Sequence, residues 1–410
     1  MPELSGKSSR LWQTCPMANP VNPPRGMRDF LPEDKRSRDL VLGKIRETYS
    51  ARGYQEIETP ALEDIAKLTS GQGGDNEKLA FRVMKRGAEL DEALASSGEL
   101  SDLGLRYDLT VPLTRYYATN RNSLPTVFKA IQTGPVWRAE RPQKGRYRQF
   151  VQCDIDIIGD ASGLAEIDLL TSSLAALDAL GLSDAVIRVN HRSLLVALLN
   201  TLGVAEADHG SAMISIDKLD KIGADGVAAE LEERFCVGAA FSAWISALDV
   251  SVIPAELSEI FSVVSPSRLK YDPTLVRGMG YYTGPIFEIE HPGSGSSIGG
   301  GGRYDGMVGK WLGQDVPAVG ISLGFERVMD LIDLSLFSGS AESVVLVLEG
   351  DVLAKAVEIR DSLIAQGYRV RFENRPKKLN GLLESMAANG FTHFATLDES
   401  TTEIELRPIS

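Results

Sequence analysis

From Val151 to Gly159 the chain reads Val-Gln-Cys-Asp-Ile-Asp-Ile-Ile-Gly, and this alternation is the pattern of a β-strand. Successive side chains of a strand point to opposite faces. Val151, Cys153, Ile155 and Ile157 then share one face, and Gln152, Asp154 and Asp156 share the other. The polar face is either exposed to water or the floor of a site. Just upstream, the segment Gly134-Pro-Val-Trp-Arg-Ala-Glu-Arg-Pro-Gln-Lys-Gly-Arg-Tyr-Arg-Gln149 crowds Arg138, Arg141, Lys144, Arg146 and Arg148 around a Pro/Gly turn. The planar guanidinium fork pairs bidentately with phosphate or carboxylate oxygens. By charge alone the hairpin fits a solvated basic tip and an anion site equally. The Gln152/Asp156 face beside it favours a site.

That cluster stands out because the chain is acidic. Its 410 residues hold 43 Lys+Arg against 56 Asp+Glu, a net charge of −13. Phosphate attraction is electrostatic, so the net charge argues against a nonspecific nucleic-acid coat but not against a local basic patch. With 43% hydrophobic and 24% charged residues, a sizeable core is available for two or three domains. No apolar run is long enough to span a bilayer. Residues 1–24 lack a secretory apolar stretch and read as a polar, Pro-containing, disordered lead-in. Cys15, Cys153 and Cys236 are scattered, as reduced thiols of a cytoplasmic protein are. Four histidines without metal spacing argue against zinc chemistry, and no metal is expected to be bound by the protein itself.

The remaining periodicities predict an α+β chain. Acidic Glu33 and Asp34 precede Val41, Ile45 and Tyr49 at helical spacing, with Gly53 as the stop. Residues 88–104 read as a surface loop or short exposed helix. Leu164, Ile167, Leu170, Leu174 and Leu177 predict a helix ended by Gly181. Residues 183–268 are Ala- and Leu-rich and read as an inserted, mostly helical module. Strand Pro285–His291 leads through Gly-Ser turns to the run Gly299–Gly302, and a helix starts near Gly324. A linker near 338–342 precedes clean βα alternation: strands 344–348, 368–372 and 391–397, helices 352–366 and 378–389, and a last strand at 403–406. That is a small α/β unit with a mainly parallel sheet.

Four further segments carry candidate chemistry. In Leu105-Arg-Tyr-Asp-Leu-Thr-Val-Pro-Leu-Thr-Arg115, Asp108 and Thr110 could enter a pocket or cap a helix. Leu275-Val-Arg-Gly-Met-Gly-Tyr-Tyr-Thr-Gly-Pro-Ile-Phe-Glu288 offers Arg277, Tyr281 and Tyr282 to a small polar molecule, or is a Gly-rich turn with core tyrosines. Gly299-Gly-Gly-Gly-Arg-Tyr-Asp-Gly306 could present backbone N–H groups to an anion, or be a flexible turn. Gly320-Ile-Ser-Leu-Gly-Phe-Glu-Arg327 leads from strand to helix, and Arg327 could face a nucleotide or only solvent.

In this order the segments resemble one family, histidyl-tRNA synthetase. Pro24-Arg-Gly-Met-Arg-Asp-Phe-Leu-Pro32 resembles its N-terminal signature, Gly134–Gln149 motif 2 of class II synthetases, Arg277–Glu288 the family's histidine signature and Gly320–Arg327 motif 3. The resemblance covers roughly residues 24–405. It implies a class II catalytic domain at 25–338, an antiparallel sheet flanked by helices with an insertion at about 183–268. It also implies an α/β anticodon-binding domain at 342–410. The implied reaction joins L-histidine to ATP as histidyl-adenylate and passes the histidyl group to the 3′ end of tRNA-His. Mg2+ would come with ATP, and the family acts as a homodimer. Arg138, Arg277 and Arg327 would be catalytic. Asp108, Leu109, Thr110, Arg138, Gln152, Asp156, Arg277, Tyr281 and Tyr282 would hold histidine. Arg138, Glu140, Arg148 and Arg327 would hold ATP, and Lys144 and Arg146 would contact the tRNA acceptor end. No protein nucleophile is required, because the substrate carboxylate attacks. One departure stands out: Gly280 occupies a place where the family commonly has Asp. A catalytically silent relative, the regulatory subunit of ATP phosphoribosyltransferase, resembles the same core. The C-terminal module argues against it, with Arg369, Arg371, Arg375, Lys377 and Lys378 as a basic cluster for an anticodon stem. The full set Arg138, Arg277 and Arg327 does so too, and also weighs against a noncatalytic tRNA-binding sensor.

Overall fold

The alternating segment forms strand Gln149–Ile158, hydrogen-bonded on both sides within an eight-stranded sheet in the computed structural model. The structure describes residues 21–69, 74–143, 145–277, 280–337 and 342–409. Most of the expected lead-in and the linker centre lie outside them.

Across the large sheet the strands run Gln55–Glu56, Phe128–Trp137, Gln149–Ile158, Ala318–Gly324, Gly299–Arg303, Pro285–Glu290, Val186–His191 and Leu269–Tyr271. The six central strands pair antiparallel, and the two short edge strands pair parallel. Cys153, Ile155 and Ile157 are buried on one face. There they pack in a core with Val41, Ile45 and Tyr49 of helix Pro32–Ser50 and with helix Leu164–Ala179. Each fully buried aliphatic side chain of this kind contributes roughly 1.5–3 kcal/mol. Those three first-helix residues are the ones the four-residue spacing singled out, and Gly53, at φ 82°, follows the helix end.

Helices Arg192–Leu202, His209–Ile216, Leu219–Phe235, Gly238–Ser246 and Ala255–Val263 form the helical region. It begins later than the sequence suggested. Val186–His191 is a sheet strand, not the start of the insertion. Its polar residues are buried and satisfied, Arg188 by carboxylates and Asn190 by the Pro273 and Leu275 carbonyls, so no polar face betrayed the strand. Segment 88–104 contains helix Ala88–Ser96 and strand Ser101–Leu105, the centre of a three-stranded antiparallel sheet. Gly299–Arg303 is a central strand rather than a loop.

From Ser343 a four-stranded sheet is ordered Arg369–Asn374, Ser343–Leu348, His393–Leu397, Arg407–Pro408. Its first three strands are parallel. The last strand is Arg407–Pro408, antiparallel to His393–Phe394, so the expected strand at 403–406 is displaced. Helices Leu353–Ala365 and Leu379–Ala388 contribute to its two cores, separate from those of the large sheet.

Candidate active site

Directly paired residues in a sheet present their side chains to the same face. One such row runs Arg188, Glu288, Gly300, Ser322, Asp154, Gln132, and the next runs Asn190, Ile286, Gly302, Gly320, Asp156, Ala130. Glycine and serine therefore occupy the middle of the face, with charged and polar groups to either side. The small residues leave a hollow, and side chains from either side lie down into it. A methyl group on Gly300 would stand 2.7 Å from the Arg277 guanidinium carbon, and one on Gly302 would stand 2.8 Å from the Tyr282 ring. One on Gly320 would collide with the Asp156 carboxylate. The glycine run is thus a floor for neighbouring side chains, which is why its glycines belong in a strand.

The resulting cleft has a volume of about 550 Å³ and is lined by Asp108, Thr110, Arg138, Glu140, Arg146, Gln152, Asp156, Arg277, Tyr281 and Tyr282. An adjoining space of about 330 Å³ shares Arg138, Glu140, Arg146, Gln152 and Arg277 and adds Arg327. Most residues singled out from sequence are therefore brought together. Leu109 is not among them. It is buried, and its carbonyl accepts a hydrogen bond from Gln132 Nε2 at 3.1 Å. Arg148 turns back, its Nε donating to the Glu140 carbonyl at 3.0 Å, which braces the hairpin. Lys144 lies outside the described residues. Gly280 faces open space, so no neighbour demands a glycine there.

Asp108 fills both roles open to it. Its Oδ1 accepts from the Val111 backbone N–H at 3.1 Å, at the start of helix Thr110–Asn120, while buried Oδ2 has no partner. Burial pushes its carboxyl up to about 6, against the Val111 N–H and the Arg138 charge. Asp156 is pushed up to about 7, again by burial, although Tyr304 donates its hydroxyl to Oδ1 at 2.5 Å. Gln152 donates to Ser322 Oγ at 3.1 Å and leaves its buried Oε1 without a partner. The rings of Tyr281 and Tyr282 lie 4.7 Å apart, and burial raises both hydroxyls, keeping them neutral donors.

The arginines are held by different means. Arg138 Nε donates to the Tyr107 carbonyl at 3.0 Å. Arg277 Nη1 donates to Glu288 Oε2 at 2.7 Å. Burial works against the Arg277 charge, but Tyr282 and Glu288 beside it outweigh burial and raise its value. Arg327 donates to the Ser297 carbonyl. Burial, followed by the charge of Arg146, lowers Arg327, with Arg277 and Arg138 adding to the repulsion and Glu288 opposing it. A guanidinium crowded by three others is a receptor for a multiply charged anion.

Four participants were not singled out from sequence. Glu288 closed a motif but carried no role, and it is the partner of Arg277. Asp154 was visible in the alternation, while Ser322 and Tyr304 lay inside segments whose strand register was unknown. Glu326, beside Arg327, borders the adjoining space, but its carboxylate is taken by Arg38, with bonds of 2.8 and 2.7 Å, and also pairs with Arg28. Among the described residues no cluster of His, Cys, Asp and Glu could hold a metal, and no helix is long and apolar enough to cross a membrane.

The family model described as histidyl-tRNA synthetase matches residues 26–328. The histidine--tRNA ligase of Leifsonia xyli subsp. xyli is 52% identical, covering 96% of this chain and 100% of its own. That of Aeropyrum pernix is 37% identical over 86% and 84%. The crystal structure of histidyl-tRNA synthetase from Nostoc sp. PCC 7120 superposes with a TM-score of 0.74 at 25% identity, covering 95% of each chain. Sheet, arginines and cleft define a class II aminoacyl-tRNA synthetase. Within that class, the chain belongs to the histidyl-tRNA synthetase family.

Proposed function

We propose that this protein activates L-histidine with ATP and transfers the histidyl group to the 3′ end of tRNA-His. The observation that carries this reading is the polarity of one continuous cleft. Unpartnered acceptors on Asp108 and Gln152 stand with Asp156 in one part, and Arg138, Arg277 and Arg327 crowd the other.

In the first step a histidine carboxylate oxygen bonds to the α-phosphorus of ATP, and the bond to the bridging oxygen of pyrophosphate breaks. No protein group gains or loses a proton. Arg138 and Arg277 border both parts of the cleft, so they can meet the carboxylate and the α-phosphate together. Arg327 is placed for the terminal phosphates. Guanidiniums stay charged at any working pH, and their preorganised charge stabilises the developing phosphorane. Glu140 is assigned to the adenine end, with Arg148 bracing the hairpin behind it, and Mg2+ arrives as the counter-ion of ATP. Asp108, Thr110, Gln152, Asp156, Tyr281 and Tyr282 surround the ammonium and imidazole. In the second step a terminal ribose hydroxyl attacks the histidyl carbonyl, the bond to the AMP phosphate oxygen breaks, and the hydroxyl proton passes to that departing phosphate. Arg146, exposed at the hairpin tip, is assigned to the incoming acceptor end.

The reading extends to a catalytic domain at 25–338, an anticodon-binding domain at 342–410, a homodimer and a cytoplasmic location. In the C-terminal sheet Arg371 and Arg375 are paired with Glu373 and Glu349, while Lys377 and Lys378 are exposed. Histidine-dependent exchange of pyrophosphate into ATP, without tRNA, tests the first step. Exchange is expected in the unaltered protein and is expected to vanish in Arg277→His. Histidine binding without exchange would instead fit a silent relative of the enzyme.

A further inference from the structure

Asp154 sits on the same strand face as Gln152 and Asp156 and lines the same cleft. Its side chain is 3% exposed, and Oδ1 has no hydrogen-bond partner. Its row neighbours leave that oxygen unpaired. Gln132 donates to the Leu109 carbonyl and accepts from Thr59, while Ser322 accepts from Gln152 and turns its hydroxyl to Asp154. The charges around it are the Asp108 and Asp156 carboxyls and, opposing them, Arg138 and Arg106. Arg106 is occupied by the carbonyls of Thr59 and Pro135 at 2.6 and 3.0 Å. The other two carboxyls also have one donor each. Asp108 accepts from a backbone N–H, and Asp156 accepts from the Tyr304 hydroxyl. Three buried carboxylates cannot share one pocket in ionised form, and Asp154, which feels both of the others and keeps one oxygen unpaired, takes up the proton. Burial and then the neighbouring Asp156 raise the Asp154 carboxyl well above its ordinary value, outweighing the Ser322 hydroxyl that favours the anion.

A neutral imidazole presents one N–H donor and one bare nitrogen. The acceptors of the pocket can read the first; the second needs a donor. Residues two apart on one strand face are separated by about 6.7 Å, close to the span of a ring hydrogen-bonded through both nitrogens. We infer that Asp154 is a specificity-determining residue that keeps its proton and donates it to the bare ring nitrogen of the substrate, opposite Asp156. This rests on the reading of the cleft as a histidine site.

The test compares Asp154→Asn with Asp154→Ala in the full-length protein. It uses histidine titration calorimetry, histidine-dependent pyrophosphate exchange and thermal denaturation. The amide of asparagine keeps a donor in place, whereas alanine leaves a buried ring nitrogen unpaired. Asp154→Asn is expected to raise the histidine KM by no more than about 5-fold, and Asp154→Ala by about 10- to 100-fold. The ATP KM should stay unchanged in both, and the melting temperature unchanged or raised, since both remove a buried carboxyl. An unchanged histidine KM in Asp154→Ala overturns the inference. So does an Asp154→Asn defect as large as that of alanine, which would mean that the carboxylate binds as an anion. Parallel losses for ATP and histidine would point to a merely structural role. Absence of histidine-dependent exchange in the unaltered protein would overturn the functional reading itself, and is thereby distinguishable.

Discussion

Arg277 lies close above Gly300 because that glycine has no side chain, and Glu288 grips it from the same sheet row. Gly300→Ala must move the guanidinium by a substantial part of an ångström. Misplacements of about 1 Å lower rates on the order of 100-fold, so exchange should fall by about that much in Gly300→Ala. A rate within about threefold of the unaltered protein would show that the guanidinium can move aside harmlessly. Asp156 supplies a pH signature. Its folded value of about 7 lies above that of an unfolded aspartate, 3.8. Its contribution to stability is therefore complete below about pH 4 and is lost as pH rises through about 7. Asp156→Asn should accordingly raise the melting temperature of the ligand-free protein at pH 8 more than at pH 5, while weakening histidine binding. Equal shifts at both pH values would mean that Asp156 is not the titrating group. At this scale much was legible. Asp108, Gln152, Asp156 and the three arginines could be picked out by residue type and neighbours. Glu288 as the partner of Arg277 could not, because that pairing depends on which strands lie side by side.

Among elements, the helix Pro32–Ser50 and the helix start at Phe325 are joined by a buried pair. Arg38 and Glu326 bond through both nitrogens and both oxygens, and the Val151 backbone N–H also donates to Glu326. Burial opposes ionisation of Glu326, but Arg38 outweighs it and holds the carboxyl below its ordinary range. Removing one partner leaves a buried charge uncompensated, which costs about 3–5 kcal/mol. Arg38→Ala should lose about that much in urea denaturation; a loss under about 1 kcal/mol would show that Arg28 takes over. The first helix was readable because its apolar residues recur every four positions against one face. The strand Val186–His191 was not, because ion pairs and hydrogen bonds bury its polar residues as deeply as its apolar ones. The glycine strand was misread for a related reason. A segment without side chains has no periodicity to display, and its conformation is imposed by the strands on either side.

At the scale of the molecule, two cores belong to the large sheet and two smaller ones to the sheet that begins at Ser343. Every residue proposed for histidine or ATP lies before residue 338. A chain ending at Phe337 should therefore keep pyrophosphate exchange within about 10-fold. It should lose charging of tRNA-His by about 100-fold or more, since the phosphate contacts of the second unit are gone. Full charging by the shortened chain would remove the anticodon role of that unit. By itself, the sequence determined the kinds of element, the alternation of Gln149–Ile158, the βα order of the C-terminal unit and the residue types of the chemistry. These depend on contacts between residues near in the chain, where period and charge are directly readable. Tertiary structure alone decided that Arg277 rests on Gly300, that Glu288 grips it, and that Asp154 keeps one oxygen unpaired beside Asp108 and Asp156. Those facts follow from sheet register and from how side chains lie across it, which local period and charge do not display.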